Sequence, residues 1–165
     1  MRQRLPVFLL TFPLTLVCFI GAPGSTVFAE SPAADMPGVA SPARAQMNYM
    51  LNCQGCHGAH GTGTADGAVP TMQNYLANFL SVAGGRAFLV QVPGSANAAL
   101  GDEQLAEVLN WMLVTLSPAQ LPADFQPYGA DEVGTLRSQP LQDVLGERAR
   151  LVAQMPPAAL TQAHP

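Results

Sequence analysis

The chain has 165 residues, seven Lys plus Arg against eleven Asp plus Glu and a formal charge of −4, which suits one small domain with appendages rather than two independent cores. All seven cations are arginines. An acidic, lysine-free surface repels phosphate backbones and excludes nucleic acid as a partner class.

Arg2 and Arg4 precede an apolar run from Leu5 to Ala22, and Val27-Phe28-Ala29 has the small-residue pattern of a signal-peptidase site. Residues 1–29 therefore read as a signal peptide cut before Glu30, with export to the periplasm. A permanent membrane anchor is the competing reading, because eighteen largely apolar residues approach the length of a bilayer span. Pro6, Pro13, Pro23 and the cleavage pattern favour removal. Cys18 does not point to a lipoprotein, since Val17 is bulky and the apolar run continues past it. The mature chain keeps five Arg against eleven acidic residues, a net −6, so a partner surface should be basic or mainly apolar. It also keeps just Cys53 and Cys56, too few for a disulfide framework.

From Glu30 to about Pro42 the composition of Ala, Pro, Ser and Gly predicts a flexible leader over residues 30–41. Ser41-Pro42 is a helix start, and Met47, Met50 and Leu51 at helical spacing carry that helix to Asn52. Gly58 to Gly67 reads as a loop whose backbone passes close to a flat cofactor. Tyr75, Leu76, Phe79, Leu80 and Val82 predict a helix ending at Gly84-Gly85, and Ala87 to Val92 another, ended by Pro93-Gly94. Asp102 is the expected cap of the clearest helix, whose Leu105, Val108, Leu109, Met112 and Leu116 form one apolar stripe, with Glu103 and Glu107 near its positive end. Past Ser117 a Pro-rich connector leads to helical stretches at Ala130–Arg137 and Leu141–Met155. The second carries Leu141, Val144, Leu145, Leu151, Val152 and Met155 on one side, an amphipathic tail against the domain or a partner. Residues 156–165 read as disordered. No internal repeat or strand-rich region is visible.

The chemistry sits in Cys53-Gln54-Gly55-Cys56-His57, a C-x-x-C-H pentapeptide, the signature of haem c attachment. Two thiols at this spacing reach the two vinyl groups on one porphyrin edge. The next residue then swings its imidazole beneath the iron, with Nδ1–H left to donate to a carbonyl. Competing readings are a zinc site from Cys53, Cys56, His57 and His60, cramped within eight residues, and a thioredoxin-like dithiol, which needs a βαβ setting that this chain does not offer.

From Ala43 to Leu116 the chain resembles a class I c-type cytochrome. Tyr49, four residues before Cys53, and Trp111 resemble the aromatic pair where the first and last core helices cross. Gly58-Ala59-His60-Gly61-Thr62-Gly63 resembles the loop after the motif, though His60 stands where an acidic residue is frequent. Val69-Pro70-Thr71-Met72 resembles the Gly-Pro-x-Leu segment. This implies that the Pro70 carbonyl accepts from His57 and that Met72 packs on the haem. The implied fold is all-α: a small helical domain over residues 42–117 wrapped round one covalent haem c, held by Cys53 and Cys56 and ligated by His57, with a helical extension over 118–155.

One departure from the resemblance concerns the sixth iron ligand. The family normally presents a methionine in the loop before its last core helix, whereas Ser95 to Gly101 contains none and Val92-Pro93 is the nearest analogue. Met112 sits mid-helix on the apolar face, where methionine more often fills a core. Met72 is a second candidate, Asn97 or an empty position a third. His60 follows His57 too closely to reach the far face, and His164 lies in the terminal tail. Arg86, after Gly84-Gly85, is read either as the partner of a haem propionate or as a solvated surface residue.

The expected function is one-electron transfer between a redox donor and acceptor, without enzymatic chemistry. Two alternatives stand beside it. One is a five-coordinate haem protein that binds small ligands or peroxide, although no distal acid–base pair is visible. The other is the electron-transfer subunit of a periplasmic dehydrogenase, docked through the tail from Ala130 to Met155. Membrane contact is expected only through a partner or an uncleaved signal.

Overall fold

A computed structural model describes residues 36–157. The signal peptide with Cys18, the first part of the leader and the tail with His164 lie outside the described residues. Among those described the architecture is all-α, without a strand.

Helix α1 (Pro42–Asn52) begins as its sequence predicts: Ser41 Oγ accepts from the Arg44 amide at 3.3 Å, and Pro42 occupies the first turn, where no N–H partner is needed. Its buried face is Ala45 and Tyr49, whereas Met47, Met50 and Leu51 point outward at 52%, 48% and 74% exposure. That face crosses α5 (Asp102–Leu116), with the Tyr49 and Trp111 rings 5.3 Å apart. The aromatic pair implied by the resemblance is therefore present.

Helix α5 is buried on nearly every side from Leu105 to Leu113, and the expected apolar stripe forms part of that surface. Its cap is Gly101 rather than Asp102. The Gln104 side chain accepts from the Gly101 amide at 3.2 Å, which leaves Asp102 in the first turn to pair with Arg137 at 3.1 Å. Asn110, fully buried, bonds the Gly38 and Tyr128 carbonyls at 3.1 Å each and accepts from the Tyr128 amide at 2.8 Å. Residues 36–41, expected as leader, are thus packed on the domain, with Met36 and Val39 against the core.

Glu107 does more than complement a helix end. It is 4% exposed, and its carboxylate accepts from the Ser41 amide at 2.8 Å and from Arg44 at 2.8 and 2.9 Å. Burial pushes its pKa up, but the Arg44 and Ser41 hydrogen bonds and the Arg44 charge outweigh this and hold it below the ordinary value. Because the folded value lies below the unfolded one, the contribution is complete above the ordinary glutamate range, about 4.3. It is lost as pH falls through the folded value. Denaturant midpoints should therefore decline below about pH 4 less steeply in Glu107→Gln than in the parent, and parallel acid limbs would contradict this.

The segment Leu76–Ser81 is a 3-10 helix instead of the expected α-helix. The free amide of Ala77 in its first turn bonds Ser117 Oγ at 3.1 Å, and just before it the Asn74 amide bonds the Leu116 carbonyl at 2.7 Å. Helix α3 (Gly85–Gln91) starts two residues earlier than predicted, because Gly85 packs against the Phe79 backbone so closely that a Cβ would collide with its carbonyl. Pro93 follows the end of α3 as expected, with Val92 as the C-cap, and does one thing more. It opens another short helix, α4 (Pro93–Ala96), as proline does at a first position.

Helices α6 (Ala130–Arg137) and α7 (Val144–Val152) pack on this core, burying Val133, Leu151 and Met155. Leu145, expected on the apolar side, is 81% exposed because α7 presents Val144, Leu151 and Val152 instead. Arg137 reaches back to bond the carbonyls of Ala96, Ala98 and Leu100 at 2.7–3.1 Å. The extension so holds the loop that precedes α5.

Candidate haem site

Helix α1 ends at Cys53, whose amide bonds the Tyr49 carbonyl at 2.8 Å, and one further turn, α2 (Gln54–His57), follows at once. The Cys53 carbonyl takes both the Cys56 amide at 3.2 Å and the His57 amide at 3.0 Å. This single turn gathers two thiols and an imidazole at the mouth of one cavity.

The glycine loop then folds back. The Gly58 carbonyl accepts from the Tyr49 hydroxyl at 2.6 Å, and the Gly63 amide bonds the His57 carbonyl at 3.0 Å. Gly63 has φ +71°, and a Cβ there would strike the Val69 and Pro70 carbonyls, so only glycine allows the two strands of the loop to close. The Met72 amide bonds the Gly61 carbonyl at 2.7 Å, which brings Val69-Pro70-Thr71-Met72 to the cavity wall.

The cavity measures about 380 Å³ and is mainly apolar. Phe79, Phe88 and Leu89 line it, together with Leu105, Leu109 and Met112 of α5. His57 is half-buried. Burial pushes its pKa down, partly countered by the neighbouring Pro70 carbonyl. Nδ1 nevertheless makes no hydrogen bond of full geometry, so a buried donor stands ready for a carbonyl. Cys53 and Cys56 are free thiols. An apolar cleft with two free thiols at its rim and an imidazole turned inward fits a covalently attached porphyrin.

The competing chemistries fit less well. Burial and the neighbouring Cys56 push the Cys53 thiol up to about 11, the opposite of a reactive dithiol. Among the described residues no group of three or more His, Cys, Asp or Glu side chains is placed to hold a metal ion, and His60 is exposed. Arg86 serves neither expected role. It pairs with Glu132 at 2.6 Å, bonds the Gln126 and Pro127 carbonyls and lies 4.0 Å over the Tyr128 ring. Of the sixth-ligand candidates, Met72 and Met112 line the cavity, and Asn97 does not.

Among the lining residues that the sequence reading did not place at the site are Val144 and Arg148 of α7. The signal was present as an arginine within the stripe Val144, Arg148, Leu151, Met155, spaced four, three and four.

No protein-family model and no solved structure matches the chain. Among curated proteins it is similar to a cytochrome c-552 of Thermus thermophilus, 34% identical over 119 residues, a match covering 60% of this chain and 90% of that protein. A second cytochrome c-552, from a named strain of the same organism, matches at 34% over 119 residues, 60% of this chain and 80% of that protein. With that identity across nine-tenths of a relative, and with an apolar helical cavity fronted by the C-x-x-C-H turn, the chain belongs to the class I c-type cytochromes, all-α electron-transfer proteins that carry covalent haem c.

Proposed function

We propose that this protein is an exported mono-haem cytochrome that passes single electrons between redox proteins, with Cys53 and Cys56 as its thioether residues and His57 as the proximal ligand. The observation that carries the proposal is the orphaned His57 Nδ1 within a cavity whose mouth holds both thiols. When bound, haem supplies a reversible one-electron couple between ferric and ferrous iron. The chain supplies the rest: Phe79, Phe88, Leu105 and Leu109 keep water from the site, and the Pro70 carbonyl beside the ring is the acceptor that the unpaired Nδ1–H would take once haem holds the other ring nitrogen. Met47, Met50 and Leu51 lie exposed on α1, leading into the exposed Cys56, and offer a partner an apolar face on an acidic protein. That supports donors and acceptors with apolar or basic contact surfaces, a periplasmic dehydrogenase among them. The periplasmic location is supported by the signal-peptide pattern of residues 1–29.

A second reading has its own observation. The loop from Ser95 to Gly101 holds no methionine or histidine, and Arg137 ties its carbonyls to α6. An open iron position for a small ligand would follow. Visible spectra of both oxidation states, with voltammetry, separate the two. Electron transfer predicts a low-spin spectrum, a reversible wave and slow carbon monoxide uptake by the reduced protein. A high-spin spectrum with rapid carbon monoxide binding favours the second reading, and failure to exchange electrons with any electrode or soluble mediator overturns the first.

A further inference from the structure

We propose that Arg148, on the C-terminal extension, is the positioning residue that neutralises a haem propionate and raises the reduction potential, an inference that rests on the haem reading of the cavity. Among the described residues, four of five arginines have a carboxylate partner: Arg44 with Glu107, Arg86 with Glu132, Arg137 with Asp102 and Arg150 with Glu147. Arg148 has none. Its guanidinium carbon lies 5.9 Å from the centroid of the Tyr75 ring, and among the described residues none of its five N–H donors makes a hydrogen bond.

The cavity explains where those donors are needed. Tyr75 and Arg148 both line it, whereas among the described residues no aspartate, glutamate or lysine does, so Arg148 is the one permanently charged side chain these residues bring to it. Haem c brings two carboxylates into this apolar setting. A buried carboxylate without a partner is costly, and the planar fork of arginine matches it bidentately. The position of Arg148 is set by its own helix: Leu151 and Met155 are buried on the same face of the extension, and the Leu141 amide bonds the Gln91 carbonyl at 2.9 Å just before α7. The residue thus reaches the cavity from a segment outside the 42–117 domain.

A fixed positive charge near the iron favours the electron-richer state, so its removal should lower the midpoint potential. Arg148→Met keeps an unbranched apolar stem near Tyr75 and deletes the charge together with its N–H donors. We expect the reduction equilibrium of the holoprotein to shift about tenfold toward the oxidised form, about 59 mV for one electron. The midpoint should also acquire a steeper pH dependence between about pH 5 and 8, as the uncompensated propionate titrates higher. Arg148→Lys should recover most of the shift, and Arg150→Met, which breaks only the surface pair with Glu147, should leave it unchanged. A reduction equilibrium within twofold of the parent's at every pH in Arg148→Met overturns the inference. If that variant does not fold, Arg148→Lys decides: a pH-dependent shift of twofold or more supports it, and none overturns it. If the parent protein carries no covalent haem, the functional reading fails and takes the inference with it, whereas an unresponsive Arg148 in a haem-bearing parent leaves that reading intact.

Discussion

Alanine at both Cys53 and Cys56 should remove all pigment that survives denaturation. The two thiols are free in the fold and stand at the mouth of the cavity. No other thiol stands there among the described residues, and a stable thioether to a vinyl group needs sulfur, which the hydroxyls and the imidazole of the remaining lining do not supply. The fold itself should tolerate the change, since neither thiol is fully buried and neither belongs to the buried core. The double variant then keeps a cleft and an imidazole, and whatever haem it retains is held without a covalent bond. Haem staining after denaturing electrophoresis should drop to background, while each single variant keeps a weaker band through its remaining thioether. Stain persisting on the doubly substituted polypeptide would show that the attachment lies elsewhere.

The parts of this site that could be read from sequence are those written in adjacent residues. Ser41-Pro42 specifies the start of α1 within its own first turn, and the five residues from Cys53 to His57 specify both a turn and its chemistry. The stripe on α5 is equally local. Wherever the deciding contact came from far along the chain, the pattern misled. Leu76–Ser81 has the spacing of an α-helix, yet it forms a 3-10 helix, and the amide of Ala77 in its first turn is capped by Ser117, forty residues on. Glu107 was legible as a charge near a helix end, whereas its actual partners, Ser41 and Arg44, lie more than sixty residues away. Pro93 ends one helix and starts the next, and only the first of these two roles was read from the sequence.

Arginines gave the least reliable signals, for a physical reason. A long side chain with five donors takes whatever carbonyl or carboxylate the tertiary fold presents. Arg86 followed a glycine pair and looked suited to a propionate, but the extension supplied Glu132 and the Gln126 and Pro127 carbonyls instead. Arg148 stood without an assigned role in the amphipathic tail, and the fold places it on the cavity wall. The extension therefore exchanges the two residues: it occupies the arginine that the core offered and provides another.

That exchange implies a large effect when the extension is cut away. A chain ending at Ser117 loses Val133, Leu151 and Met155 from the core, each worth roughly 1.5–3 kcal/mol when buried, a large share of the 5–15 kcal/mol typical of a whole domain. It also strips partners from groups that stay behind. Asn110 loses both its bonds to Tyr128 in the interior of α5, and the Ala96, Ala98 and Leu100 carbonyls lose Arg137. Unpaired buried groups add about 1–3 kcal/mol apiece to the deficit. The expected outcome is loss of the cooperative thermal transition in far-ultraviolet circular dichroism, accompanied by a disturbed haem spectrum, because the loop before α5 and the Arg148 wall of the cavity go together. A docking tail would behave differently: its removal would leave melting and spectrum as in the parent and abolish only association with a partner. The burial of Val133 and Leu151, both at 0% exposure, favours the first outcome, since a segment kept free for a partner has no reason to place its apolar residues inside its own domain.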